Sequence, residues 1–221
     1  VKTWLHSAGD PGQDIGFVTF RKDFEINGNF EIIDYLSYSN GGWIQSTVST
    51  SDYPKIEPAS FHVNGETYVA YIELHPQDNT VLIIHRKEGN RWIEDYRQVY
   101  SPQAGEKPWV RFGAFNGELH LLHNRGNNTP STLTHVVKSN GNWQEFSFSN
   151  PDGIPFGTFA GSEIEFDSQG NMLWAEGIEV MRGISKDQVV FGFEGPFEGN
   201  YWGCLDFEVF NDDLYMYHIA G

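Results

Sequence analysis

Residues 61–72 read FHVNGETYVAYI, and residues 112–123 read FGAFNGELHLLH. In both, an apolar run enters Asn-Gly and leaves as a second apolar run. Asn-Gly between such runs is a strong hairpin signal, because glycine takes positive φ freely and asparagine tolerates it. The arrangement returns as Gln169-Gly170 in EIEFDSQGNMLWAEG and as Asn211-Asp212 in DFEVFNDDLYMYHI, at successive steps of 52, 53 and 42 residues from Asn64. A repeat of this length decides the fold before any single residue does.

A second landmark is a tryptophan that follows a turn and opens a strand. It occurs in NGGWIQSTVS (Trp43), EGNRWIEDYR (Trp92) and NGNWQEFSFS (Trp143), and VKTWLHS (Trp4) fits the same pattern. KDQVVFGFEG, around Val189, holds the fifth such position without its tryptophan. Between the two landmarks lies a further apolar run: NFEIIDYLSY, NTVLIIHRK, STLTHVVKS and IEVMRGIS. Each full unit therefore reads as four short antiparallel strands, A to D, with tight turns at A–B and C–D. Four strands in 40–53 residues are the signature of a β-propeller blade, and no stretch carries the periodicity and caps of a useful helix. The expected fold is all-β, a single domain over residues 1–221, with five blades. LDFEVFNDDLYMYHIAG would supply strands A and B of the last blade and VKTWLHS its strand D, so that the two chain ends close the ring and remove a free sheet edge. No strand C is evident for that blade, and a four-bladed ring is the alternative.

The order of an apolar strand, Asn-Gly, Tyr-x-Ala-Tyr, then a turn and Trp resembles the repeats of sialidase-like, Asp-box propellers. FDSQGNMLW, from Phe166 to Trp174, looks like a degenerate Asp box with Asp167, Gly170 and Trp174; Ile164-Glu165 stand where the usual serine would be. The blade count and length resemble the small five-bladed propeller lectins of the tachylectin-2 kind in architecture. What these resemblances imply is a sugar-handling protein, but such repeats serve lectins, hydrolases, lyases and scaffolds alike.

Composition sets bounds on the partner. Thirty acidic against 14 basic residues give a net charge of −16, which argues against nucleic acid, because a phosphate backbone needs a basic face. Aromatic residues make up 15% and there are 24 glycines, a mix that suits strands and turns. The one cysteine, Cys204, excludes an intrachain disulfide framework. No apolar run reaches the length of a membrane span. No signal peptide is visible and the chain starts at Val1, as a processed end or a fragment would, so either a secreted or a cytoplasmic setting is compatible.

Tight turns leave little room for a site at the A–B and C–D ends. The longer connections lie at the other end: the D–A loops SAGDPGQD, TSDYPKIEP, SPQAGEKPW, NPDGIPFGTFAG and GPFEGNYWG, and the B–C loops ELHPQDN, HNRGNNTPS and EGIE. Long polar loops on a rigid scaffold are where binding residues concentrate. Amides and carboxylates bond sugar hydroxyls, and rings stack on sugar C–H faces. Trp109 and Trp202 lie at D–A junctions and are stacking candidates. Strand B ends at matching places with Glu73, His123, Glu176 and His218. His75 and Arg125 stand beside them in the B–C loops.

Patterns that specify catalysis are absent: no Gly-x-Ser-x-Gly, no His-Glu-x-x-His, no phosphate-binding glycine loop. His120 and His123 resemble a metal pair, but three residues apart on a strand they face opposite ways. FNDD and DPGQD are acidic and would suit calcium, yet lack EF-hand spacing, so no metal or cofactor is assigned. The expected function is therefore a carbohydrate-binding protein, a lectin without enzymatic activity, binding glycans or glycoconjugates at several similar sites. A glycan-active hydrolase or lyase using the same face is the alternative, and a protein-interaction scaffold the third reading.

Overall fold

A computed structural model describes residues 16–23, 30–76, 79–100, 109–124, 132–149, 164–176, 179–183 and 206–217. Among these residues there are sixteen strands and no α-helix. They form five separate antiparallel sheets, each taking its strands in chain order. The first sheet is β1 (Gly16–Asp23), β2 (Phe30–Ser39) and β3 (Gly42–Ser49); the second is β4 (Lys55–Val63), β5 (Glu66–Leu74), β6 (Thr80–Glu88) and β7 (Arg91–Tyr100). The third is β8 (Trp109–Phe115), β9 (Glu118–Asn124), β10 (Thr132–Ser139) and β11 (Asn142–Ser149). The fourth is β12 (Glu165–Phe166), β13 (Met172–Glu176) and β14 (Glu179–Gly183), and the fifth pairs β15 (Asp206–Phe210) with β16 (Asp213–Tyr217). The strands expected at Trp4 and near Val189 lie outside the described residues.

The repeated dipeptides are turns, as their chemistry requires. Asn40-Gly41, Asn64-Gly65, Asn116-Gly117 and Asn140-Gly141 each place both residues at positive φ, asparagine at 50–52° and glycine at 78–80°. Asn211-Asp212 does the same at 53° and 65° without a glycine. Two central residues at positive φ make the turn whose twist matches that of the strands it joins. Such a turn fixes the register, and with it which side chains share a face.

The chain divides into two compact units, Val1–Val110 and Arg111–Gly221. In the first, the β1–β3 sheet packs on the β4–β7 sheet through Val18, Ile33, Tyr35 and Val48 on one side and Val69, Tyr71, Val81 and Ile83 on the other. Trp92 packs against this cluster, meets Tyr35 edge-on at 5.3 Å between ring centroids, and donates its indole N–H to Ser46 Oγ of the neighbouring sheet at 3.0 Å. Trp92 thus packs between two adjacent sheets. Trp43 differs: it is 55% exposed, held edge-on by Phe17 and Tyr38.

In the second unit, successive sheets touch through their first strands. Ile164 N–H donates to Phe112 O at 2.8 Å, and a Cβ on Gly113 would fall 2.8 Å from Ile164 Cβ. Only glycine admits so close an approach. The turns at the same end are keyed to one another. Phe115 stacks on Phe166 at 5.4 Å and its ring occupies the space beside Gly170, where a Cβ would lie 2.6 Å away. Ser168 gives its N–H and hydroxyl to the two carboxylate oxygens of Asp212, at 2.7 Å each. Asp167 closes its own turn: Oδ1 accepts from the N–H groups of Gln169 and Asn171 at 3.0 and 2.8 Å, and Oδ2 accepts from the Asn171 amide at 2.6 Å. Trp174, two strand positions on from Met172, is fully buried.

Candidate functional site

In the first unit, the D–A loop after β3 and the B–C loop after β5 meet. Lys55 opens β4 directly across the ladder from Glu73. One extra residue between Ile56 and Ala59, with Glu57 at a φ of 48°, makes the bulge that brings this pairing about. Lys55 is fully buried, and its ammonium donates to Ser51 O at 2.7 Å and Tyr53 O at 3.0 Å. The D–A loop is therefore wound around a buried cation. Glu73 is 2% exposed; it accepts from the Ser51 hydroxyl and faces His75 Nε2 at 3.0 Å. Backbone bonds complete the knot, from Leu74 N–H to Pro54 O and from His75 N–H to Asn79 O, both at 2.9 Å.

Two rings cap this knot. Tyr53 lies flat on His75, with centroids 3.7 Å apart and planes 23° apart. Tyr53 remains 38% exposed and the His75 side chain 21%. The arrangement is an exposed aromatic face on a histidine, above a buried carboxylate that fixes the imidazole. With Nε2 turned to Glu73, the neutral ring carries its proton there and leaves Nδ1 an acceptor.

Deeper on the same face of β5, Tyr71 stacks on His85 at 5.7 Å. Burial pushes the Tyr71 hydroxyl well above its ordinary range, against a lowering hydrogen bond with Ser49. Burial also holds His85 below the usual imidazole range, opposed by the Glu94 and Glu73 carboxylates. Glu94 and Arg97 form a two-pronged pair at 2.8 Å and 2.8 Å, which keeps the Glu94 carboxyl low.

The remaining residues expected at the site fall in different places. Trp109 opens β8 at 4% exposure, and His123 on β9 is fully buried opposite Thr134. In the described structure both are packed side chains rather than surface. Glu176 ends β13. Arg125, Trp202 and His218 lie outside the described residues. The structure thus joins Glu73 and His75 and adds three groups that the sequence reading had passed over: Ser51, Tyr53 and Lys55. The loop TSDYPKIEP reads in sequence only as polar; the fold closes it over Glu73. Strand alternation separated His120 from His123 correctly; what it missed was His135, which meets His120 on its own face. No group of three metal-ligating side chains occurs among the described residues, and no helix there is long and apolar enough to cross a membrane.

No protein-family model matches the chain, and no curated protein sequence matches it. Among solved structures it is similar to a mutant of Aleuria aurantia lectin in complex with alpha-methyl-L-fucoside, with 11% sequence identity and a TM-score of 0.49. That similarity covers 92% of this chain, which spans 65% of the lectin's own length.

Proposed function

We propose that this chain is a carbohydrate-binding protein, a lectin, built as one β-propeller of five blades over residues 1–221 whose two ends complete the last blade. Support for the propeller comes from sheets that each run in chain order and, in the second unit, touch through their first strands. Sugar is bound on the face of the D–A and B–C loops. The observation that carries this reading is the Tyr53–His75–Glu73 cluster, where one loop of each kind meets. Tyr53 offers a ring face to the C–H face of a sugar, His75 Nδ1 accepts from a hydroxyl, and Glu73 holds the imidazole in place. A neutral glycan fits, because a net charge of −16 repels anionic ones. Arg125, Glu176, Trp202 and His218 belong to the corresponding loops of other blades and complete the set, each site weak alone and summed by multivalency.

The Glu73–His75 pair favours one second reading, a glycan-active enzyme, since a carboxylate orienting an imidazole is also the geometry of acid–base work. A glycan array followed by isothermal titration separates the two. Binding without turnover, weakened roughly three- to tenfold by Tyr53→Ala, is the result expected of stacking worth about 1 kcal/mol. Release of reducing ends or unsaturated sugars establishes the enzyme instead, and absence of binding to every glycan overturns both.

A further inference from the structure

The third sheet holds a pair of buried histidines that the loop site does not use. His120 on β9 and His135 on β10 are 4% and 2% exposed, and His120 Nδ1 lies 2.9 Å from His135 Nε2. Their rings are nearly parallel, 21° apart with centroids at 5.1 Å. His120 Nε2 lies 3.8 Å from the Glu118 carboxylate. The pair meets the fourth sheet through Phe166, whose ring sits 4.7 Å from that of His120, while Phe146 of β11 flanks His135 at 6.1 Å. Among the described residues of β8 and β9, the charged groups on this face are Glu118 and Arg111, the latter by the alternation that also turns Gly113 and Phe115 toward the fourth sheet. Among the described residues, β11 and β12 present the uncharged rings of Phe146 and Phe166 here, with Glu165 alternating to the other face of β12.

Proton counting limits what this pair can do. An N···N contact of 2.9 Å holds one proton, so one ring donates and the other accepts. With both rings neutral, the favoured arrangement has His135 Nε2–H donating to His120 Nδ1, which leaves His120 Nε2–H directed at the Glu118 carboxylate. One added proton is accommodated, because either ring can become the cation and still share the contact. A second is not: it sets two N–H groups head to head and two like charges about 3 Å apart in a buried place, where desolvation and repulsion act together.

We propose that His120 and His135 form an acid-sensitive clasp between the third and fourth sheets, holding with one bound proton and releasing with two. The two rings titrate as one coupled unit, and the second proton enters as the Phe166 contact on His120 is lost. Release would loosen the β12–β14 sheet at Phe166, while the Ile164–Phe112 bond and the Phe115 packing still tie it to the third sheet.

Long-range proton–nitrogen NMR of the histidine rings in the intact chain reads tautomer and charge directly. The expected result is His120 as the Nε2–H tautomer at neutral pH, and two unequal steps on acidification. The lower step coincides with loss of the nuclear Overhauser contact between Phe166 and His120. In His135→Phe, His120 is expected to titrate in a single step that leaves the Phe166 contact in place. Two independent, equal titrations in the wild-type protein, or a Phe166 contact that survives double protonation, would overturn the proposal. The wild-type measurement decides the matter even if the variant does not fold.

Discussion

Glu73→Gln tests the knot beneath the proposed sugar site. The carboxylate receives the Ser51 hydroxyl on one oxygen and faces His75 Nε2 with the other, at 2% exposure. Glutamine has the same shape but one acceptor and one donor. Its oxygen can accept from His75, and its amide can donate to Ser51 if that hydroxyl turns round. Both contacts then survive as neutral hydrogen bonds. Bonds to a charged group contribute about 1.5–3 kcal/mol and neutral ones about 0.5–1.5, so the loss is about 1 kcal/mol for each contact and about 2 kcal/mol together. The buried Lys55 across the ladder also loses a neighbouring negative charge, which the relieved desolvation of Glu73 opposes, so the figure stands at about 2 kcal/mol. Urea unfolding should show a lowered midpoint at unchanged slope. Hydrogen exchange should show faster opening at the Leu74 amide, whose partner Pro54 O ties the two loops, and at the His75 amide, whose partner Asn79 O closes the B–C loop. A variant within about 0.5 kcal/mol of wild type, the scatter of ordinary surface substitutions, would refute the claim that Glu73 organises the loops. Loss of sugar binding with both loop amides still protected would instead place Glu73 in direct contact with the ligand.

Three further outcomes follow from the geometry. Gly113→Ala puts a methyl group against Ile164 and should cost about 1–3 kcal/mol by overpacking, read as a fall in thermal midpoint. Asp167→Ala removes the acceptor of two backbone N–H groups and the Asn171 amide, and should cost about 1–2 kcal/mol, with faster exchange at the Gln169 and Asn171 amides. His85 is held below the imidazole range by burial, so its unfolded form binds a proton first as pH falls. Stability should therefore drop as pH is lowered through about 6.5 and toward the folded value, and His85→Phe should show a shallower fall than wild type in denaturation series from pH 8 to 5.

The turns were legible because they are local. Asn-Gly carries its reason in two residues, and Asn64, Asn116 and their glycines adopt the positive φ that the dipeptide requires. The four-strand units followed from those turns and from the Trp that opens β3, β7 and β11. Faces were legible by alternation, which is why His120 and His123 could be set on opposite sides. What alternation cannot tell is which face a neighbouring sheet will cover. Trp109 and His123 look like site residues at strand ends, yet their faces are covered, whereas Tyr53 in an unremarkable loop stays exposed. The bulge at Glu57 was equally hidden. Nothing in KIEPASF announces an extra residue, yet without it Lys55 would not stand opposite Glu73. His135 was missed for a related reason: its partner lies fifteen residues away on another strand, and only the register brings them together.

The keyed turns of the second unit bear on how the repeat can diverge. Phe115 fills the space beside Gly170, and Ser168 is bonded to Asp212, so each turn carries a feature cut to fit its successor. Units joined in this way are similar without being interchangeable. Exchanging the third and fourth sheets would set the Phe115 ring against the Asp212 side chain and take Ser168 away from that carboxylate. The order of the repeats is thus written into their turns, and the differences between copies record position in the series.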